Sequence, residues 1–532
     1  SVCFVFAIGI IYLFSKVSTS FGHDTLPPAQ QSVMFCPRRE PGIHFGMALR
    51  SGPRRLLREI DVFRLFFTAD VIGTICENTN KYAWMKILDK PTYSEADGSW
   101  KEVTPTEMMT FIGLLLYMGI VELPRLHLYW STSSLLCGLI PSKIMPGKRF
   151  WALLGMLHVS EPDLQTQGRT SKLDKVSWLL AHINERSAYF FQPHKELSVD
   201  ERMVKSKGRS GIRQYIRDKV TKWGYKLWVL ADPRSGYTIQ FIVYAGKRDK
   251  PSANGLAYDV VTRLCDNYLD QGYCIYMDNF YTSTNLFRCL LERSTLACGT
   301  TRKDRRGFPR ELKDTKWERK AKRGDVRWLR DSGVLYLQWK DRRVVHMMTT
   351  AHTANKYVTA KRRQKQDGKW DQISVKKPQL VDEYNMGMLG VDKSDQLIGS
   401  YNVLQKCVRW WKTLFFHCID IACVNSFVIF QEHRRMHPEI AELARVTRYD
   451  QLAFRLELVR QLLELEDALV VRAPPPPQGI QHQPEKMDTY RNCKKCYNET
   501  KTQQKTRVYC KTCNVPLCFT SRNCFAAWHA QL

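Results

Sequence analysis

The sequence predicts a multidomain α/β protein, and three observations carry that expectation. The chain has 532 residues, more than one hydrophobic core serves, so about two to four structural units are expected. Hydrophobic spacing near 3.6 residues runs from Leu57 to about Lys195 and gives way at Glu196 to short β-branched and aromatic runs. The C-terminal stretch holds two C-x2-C pairs, the spacing of a small metal-bound module. With 44% hydrophobic and 25% charged residues the chain reads as a globular protein, neither disordered nor membrane-embedded. Its 81 Lys and Arg exceed its 52 Asp and Glu by 29, which favours a polyanionic partner, nucleic acid first, over a merely basic surface.

The elements follow in order. Residues 1–56 include a 12-residue apolar run, Cys3 to Phe14, shorter than the roughly 17 to 25 residues a membrane helix needs. This stretch is left unassigned, as a truncated or misassembled N-terminus, and no membrane association is expected. From Leu57, LREIDVFRLFFTADVIGTICENTNKYA, TPTEMMTFIGLLLYMGIV, GKRFWALLGMLHV and VSWLLAHINERSAYFF predict helices, with Thr106 as an N-cap of the second. ELSVDERMV, YKLWVLADP and YTIQFIVYAG predict three antiparallel strands, and LAYDVVTRLCDNYLDQ a helix. The run YCIYMD, a helix around TSTNLFRCLLER and the run TLACGT complete the order β-β-β-α-β-α-β. That order matches a ribonuclease H-like core, in which a meander of three strands is extended by parallel strands through helical crossovers. A basic, Trp-containing β insertion follows, then helices through RWWKTLFFHCIDIACVNSF and YDQLAFRLELVRQLLELEDALV, then the stiff spacer Pro474 to Pro477.

Four acidic residues, in three segments of the chain, fall where such a core binds ligands. Asp200 lies mid-strand, Asp278 follows the next parallel strand at its carboxyl end, and Asp392 and Asp395 stand three apart, on one face if that segment is helical. Taken alone, Asp278 reads first as a turn or helix cap, and Asp392 and Asp395 as solvated helix charges. Taken together on a basic framework, they read as carboxylates that repel one another unless hard cations neutralise them. Two Mg²⁺ ions about 4 Å apart would do so and would suit phosphodiester chemistry.

The positive charge is clustered. Met203 to Lys226 holds eight basic residues, among them Lys205, Lys207, Arg209, Arg213 and Lys222, against one acid, Asp218. Thr301 to Arg330 holds thirteen basic residues, among them Arg302, Lys303 and Arg305, against five acidic ones. Both runs abut the proposed carboxylate strands, where phosphates must pass. Arg409 and Trp410, beside Trp411, read either as a base-stacking group or as core. In the tail, Cys493, Cys496, Cys510, Cys513, Cys518, Cys524 and His529 supply seven ligands where two closed zinc sites need eight. The eighth is water, a shared ligand or a residue elsewhere such as His482, and the pairing stays open. The scattered cysteines Cys265, Cys274, Cys289, Cys298, Cys418 and Cys423 read as buried free thiols.

SVDERM, MDNFYTS, GTTRKDRRGFPREL, YNMGMLGVDKSDQL, the RWWKTLFFHCIDIACVNSF helix and the Cys-rich tail, in this order over residues 57–532, resemble the piggyBac transposase family. The resemblance implies cut-and-paste DNA transposition at TTAA by a nuclear homodimer on paired transposon ends. It implies a catalytic triad of Asp200, Asp278 and Asp392 holding Mg²⁺, with Asp395 assisting, and a cross-brace module with two structural Zn²⁺ ions that binds the transposon end. Where the family commonly has Gly-Gly before Val-Asp, this chain has Leu389 and Gly390, which puts the turn into Asp392 in question. The implied organisation is a helical dimerisation and DNA-binding domain (57–195 and 402–470), a ribonuclease H-like catalytic domain (196–303 and 380–401) and an insertion domain (304–379). A Pro-rich linker (471–490) and the zinc domain (491–532) follow. Two rival readings are a domesticated, non-catalytic DNA-binding descendant and a RING-like ubiquitin ligase module in the tail.

Overall fold

A computed structural model of the protein describes residues 18–19, 23–45, 56–89, 100–162, 171–217, 219–246, 253–366, 369–405, 407, 409–445, 448–465, 482–519 and 522–530. The apolar run Cys3 to Phe14 and the prolines 474–477 lie outside the described residues. The chain divides into two compact units, Ser1–Leu463 and Glu464–Leu532.

In the first unit, α1 (Ala69–Asp89), α2 (Pro105–Ile120), α3 (Gly147–Met156) and α4 (Ser177–Phe190) precede the sheet. Thr104 caps α2, its side chain accepting from the Glu107 N–H at 3.3 Å, so the expected cap Thr106 sits inside the first turn. The reason is Pro105. Its fixed φ and missing N–H suit the first helical position, which makes the residue before it the cap.

The strands are β1 (Glu196–Lys205), β2 (Trp223–Ala231) and β3 (Thr238–Val243), then α5 (Leu256–Cys265), β4 (Cys274–Met277), α6 (Thr284–Glu292) and β5 (Leu296–Thr300). β1 pairs antiparallel with β2, and β2 with β3. β4 lies parallel to β1, Glu196 opposite Cys274 and Val199 opposite Met277, and β5 lies parallel to β4. Each parallel step uses a helical crossover, as the sequence pattern requires. The next strands, β6 (Val326–Asp331), β7 (Val334–Lys340) and β8 (Val344–Thr349), form a meander that continues the same sheet, β8 pairing antiparallel with β5. A separate hairpin, β9 (Tyr357–Gln366) and β10 (Lys369–Pro378), follows.

Helices α7 (Gln379–Gly387) and α8 (Leu389–Ser400) meet at Met388, which keeps helical dihedrals and leaves almost no break. They press on the sheet at two glycines. A Cβ at Gly387 would lie 2.4 Å from the Tyr276 ring, and one at Gly390 2.8 Å from Ser198 Cβ. Leu389 is 51% exposed, so its side chain leaves the sheet and the turn into Asp392 accommodates it. Gly390→Ala should cost about 1–3 kcal/mol of stability through overpacking, read as a lower urea midpoint; Leu389→Gly should not raise it by more than a few tenths.

Helices α9 (Trp410–Met436) and α10 (Gln451–Leu462) complete the unit. α9 is long and apolar enough to cross a bilayer, but it is wrapped by protein: Phe415, Ile419, Ala422 and Phe430 are fully buried, as are Asp420 and Asn425. The second unit contains β11 (Pro484–Asn492), α11 (Lys494–Thr500), β12 (Lys505–Cys510), β13 (Val515–Pro516) and α12 (Cys524–His529). Residues 484–490, expected as linker, belong instead to β11, which pairs with β12 at 484–486 and again at 491–492 across an irregularity.

Candidate active site

β4 stops at Met277, level with Val199, while β1 runs on to Lys205. Asp278 therefore lies beside the next residue of β1, Asp200. With no β4 residue paired to that edge beyond Val199, the side chains of Asp200 and Glu201 both reach the gap. Oxygens of Asp200, Glu201 and Asp278 all lie within 4.8 Å of one another. Glu201 is a site residue the sequence reading passed over, since strand alternation places it on the opposite face from Asp200. The signal that finds it is the early end of β4.

The carboxylates are held in place. Asp278 Oδ1 accepts from the Phe280 N–H at 2.8 Å, and Thr282 Oγ1 donates to the Asp278 carbonyl at 2.8 Å. Arg305 donates to the carbonyls of Asn279 (2.6 Å) and Phe280 (2.8 Å), fixing the turn that carries Asp278. Asp200 Oδ1 accepts from the Glu201 N–H at 2.7 Å. Lys219 Nζ lies 4.0 Å from Asp200 Oδ1 and 3.5 Å from Glu201 Oε1, and Lys226 Nζ lies 4.0 Å from Glu201 Oε2. Burial pushes Asp200 up to about 7 in spite of Lys219, with Glu201 and Asp278 adding to the rise. Burial likewise raises Asp278.

α8 lies along the face of β1 that carries Ser198, Asp200 and Arg202. Ser198 Oγ donates to the Met388 carbonyl at 3.1 Å, and the buried Arg202 pairs with Asp395 and donates to Ser394 Oγ at 2.7 Å. Asp392 sits between those anchors in the first turn of α8, and its charge acts on Lys219. It is not among the three carboxylates that converge. Asp395 is turned to Arg202.

Three desolvated carboxylates with two raised pKa values form an oxygen donor set that fits a hard divalent cation. Because the folded Asp200 carboxyl binds its proton more tightly than an unfolded one, the stability it contributes is present below about pH 4 and is lost as pH rises through about 7. Asp200→Asn should therefore raise metal-free stability by up to about 4 kcal/mol at pH 8 and by nearly nothing at pH 4, read by chemical denaturation. Lys219 competes with a cation for the same oxygens. Lys219→Gln should tighten Mn²⁺ binding about tenfold at pH 8, read by calorimetry without DNA.

The basic candidates differ in their surroundings. Lys205, the last residue of β1, and Lys207, Arg209 and Lys222 in the segment after it are exposed. Arg213 stacks 4.4 Å over the Trp223 ring, Arg302 pairs with Asp304 at 3.3 Å, and Lys303 pairs with Glu318 at 3.2 Å. Arg409 donates to the Gly155 carbonyl (3.1 Å) and Tyr82 Oη (3.0 Å). The two tryptophans part company: Trp411 is 2% exposed, whereas Trp410 stays half-buried at the start of α9.

In the second unit the ligands sort into Cys493, Cys496, Cys518, Cys524 and into His482, Cys510, Cys513, His529. The two sets interleave along the chain. Cys496 Sγ lies 3.7 Å from Cys518 Sγ and 3.5 Å from Cys524 Sγ. A tetrahedral ion with 2.3 Å arms has edges of about 3.8 Å, and a disulfide would be about 2.0 Å. In the other set Cys513 Sγ lies 3.3 Å from His482 Nδ1 and 3.6 Å from His529 Nε2. The Phe525 carbonyl, 2.7 Å from His529 Nδ1, must accept that ring's proton, which leaves Nε2 free to ligate. Both sets fit zinc. Among the described cysteines no disulfide forms; Cys265, Cys274, Cys298, Cys418 and Cys423 are buried thiols, and Cys289 is partly exposed.

A model of the transposase IS4 family matches residues 58–427. Human PiggyBac transposable element-derived protein 3 is 26% identical over 480 residues, covering 88% of this chain and 74% of the relative. Human PiggyBac transposable element-derived protein 2 is 27% identical over 426 residues, covering 77% and 66%. A cryo-EM structure of the piggyBac transposase synaptic complex with hairpin DNA superposes with a TM-score of 0.67 at 22% identity, covering 91% of this chain and 100% of that one. The family match spans well over half the chain, the curated relatives carry the same family name, and the fold agrees; the chain belongs to the piggyBac-type transposase IS4 family.

Proposed function

We propose that the chain is a DNA transposase with a ribonuclease H-like catalytic core, cutting and joining DNA at TTAA sites. The observation that carries this reading is the convergence of Asp200, midway along β1, with Asp278, just past the carboxyl end of the adjoining parallel strand β4, beside a helix that carries Asp392. Asp200, Asp278 and Asp392 would hold Mg²⁺, which when bound activates an attacking oxygen and stabilises the leaving one. Glu201 joins that set. Arg305 holds the Asp278 turn, and the Arg202–Asp395 pair holds α8 against β1, so the carboxylates are aimed before DNA arrives.

In this reading water nicks the transposon end, and the freed 3′-hydroxyl attacks the opposite strand to leave a hairpin on the flanking TTAA. Water then opens the hairpin, and the 3′ ends attack a new TTAA. Each step makes one phosphorus–oxygen bond and breaks another, so a single site serves them all. The protein would act in the nucleus as a homodimer on paired ends, its zinc module gripping the end through Lys494, Lys501, Lys505, Arg507 and Lys511. Those cations suit phosphates better than a ubiquitin-conjugating partner. A non-catalytic DNA-binding descendant is the rival, favoured by the relatives' being named transposable element-derived. The test is plasmid excision of a reporter carrying the element's own ends: TTAA-precise repair of the donor supports the enzyme, and intact donor with DNA binding retained supports the rival.

A further inference from the structure

The β9–β10 hairpin has two unlike faces. Directly opposed residues share a face, so Thr359/Lys376, Lys361/Ser374, Arg363/Gln372 and Lys365/Trp370 line one of them. All eight are exposed, Trp370 by 70%. The other face is anchored: Ile373 and Val375 pack into the core, Arg362 pairs with Asp341 at 3.1 Å, and Lys377 with Asp382 at 2.6 Å. The acid Asp371, itself exposed, belongs to that other face, opposite the exposed Gln364; Asp367 lies outside the described residues. Lys361, Arg363 and Lys365 form no ion pair among the described residues, and Lys376 lies 3.7 Å over the Tyr357 ring.

Among its described residues this solvent face carries four cations, one tryptophan and no carboxylate, a single-sign patch that attracts an anion. Successive cations on one strand stand about 7 Å apart, the interval of consecutive phosphates on a nucleic-acid strand. A two-stranded ribbon is also narrow enough to enter the DNA major groove. The ribbon runs straight into α7 and α8, the helices that bring Asp392 to the sheet. From these observations we infer that the β9–β10 ribbon is a second DNA-binding surface, holding duplex DNA by its phosphates through Lys361, Arg363 and Lys365, with Trp370 against the backbone or a base edge. This rests on DNA being the partner, as proposed above, and adds a surface that neither basic run identified in the sequence contains.

The test is binding of the full chain to a 40-base-pair duplex of random sequence, without divalent metal. The triple substitution Lys361→Gln, Arg363→Gln, Lys365→Gln should weaken binding at least about tenfold near physiological salt. It should also lower the slope of log K against log salt by about 2 to 3. Acetylation footprinting of the unaltered protein, which does not depend on any variant folding, should show Lys361 and Lys365 protected by duplex. An unchanged salt slope, unprotected lysines, or protection by single strands or RNA but not duplex overturns the inference. Loss of excision with ribbon-dependent binding intact would instead count against the transposase reading alone.

Discussion

Asp278→Asn is expected to lower DNA strand cleavage by about a thousandfold with DNA affinity unchanged, and Asp200→Asn to do the same. The argument is electrostatic. Each carboxamide keeps the shape and one acceptor oxygen of its carboxylate but removes a charge from a desolvated cluster whose oxygens lie within 4.8 Å of one another, and a divalent cation loses an anionic ligand there. About 4 kcal/mol of lost transition-state stabilisation corresponds to the thousandfold. Asp395→Asn should behave differently. An asparagine oxygen still accepts from Arg202, so the clamp on α8 survives and cleavage should fall by about tenfold or less. Arg202→Met, which removes the clamp and strands Asp395, should cost more than Asp395→Asn, and the loss should appear at all metal concentrations. Measured by single-turnover cleavage of a labelled duplex bearing the element's ends, equal rates for Asp278→Asn and the unaltered protein would sink the catalytic reading.

How much of this was legible in the sequence depends on whether local pattern or tertiary register decides the feature. The β1 to β5 order was readable because those strands are apolar and bounded by turns, and the helices between them are amphipathic. Asp278 stood out at the end of the apolar run YCIYM, and Asp200 as a mid-strand acid among polar neighbours. Glu201 did not, because its place in the site follows from β4 ending at Met277 while β1 runs on, a matter of register between segments 78 residues apart, Glu196 lying opposite Cys274. His482 entered only as one candidate for the eighth zinc ligand, since it lies eleven residues before the first cysteine pair and is brought to Cys510 and Cys513 by the chain's return through β11 and β12. The ribbon face escaped notice for a related reason. Lys361, Arg362, Arg363 and Lys365 form a dense basic run in the sequence, but only the cross-strand register and the Arg362–Asp341 pair show that Lys361, Arg363 and Lys365 share one exposed face.

Chelation should unfold the second unit and leave the first intact. The buried core of residues 482–530 consists of Cys493, Cys496, Cys510, Cys518 and Cys524 with Leu517 and Phe525, so its packing is largely the metal ligands themselves. Four thiolates held together without a cation repel one another, and so few apolar side chains do not offset the entropy of ordering some fifty residues. Apparent stabilities of about 10–16 kcal/mol for structural zinc in small modules indicate how much depends on the ion. Interleaving sharpens the expectation. Cys510 and Cys513 of one set fall between Cys496 and Cys518 of the other, so Cys496→Ser should release more than one of the two zinc equivalents. The checks are zinc stoichiometry by a chromophoric chelator and limited proteolysis with mass spectrometry. After chelation or in Cys496→Ser, cleavage should concentrate beyond residue 463, with the residues before it protected as in the unaltered protein. Cys289→Ser, at a thiol far from either set in sequence and absent from both, should change neither zinc content nor cleavage pattern. A tail that resists protease equally with and without zinc would show that its fold does not depend on the metal and would remove the basis for both zinc sites.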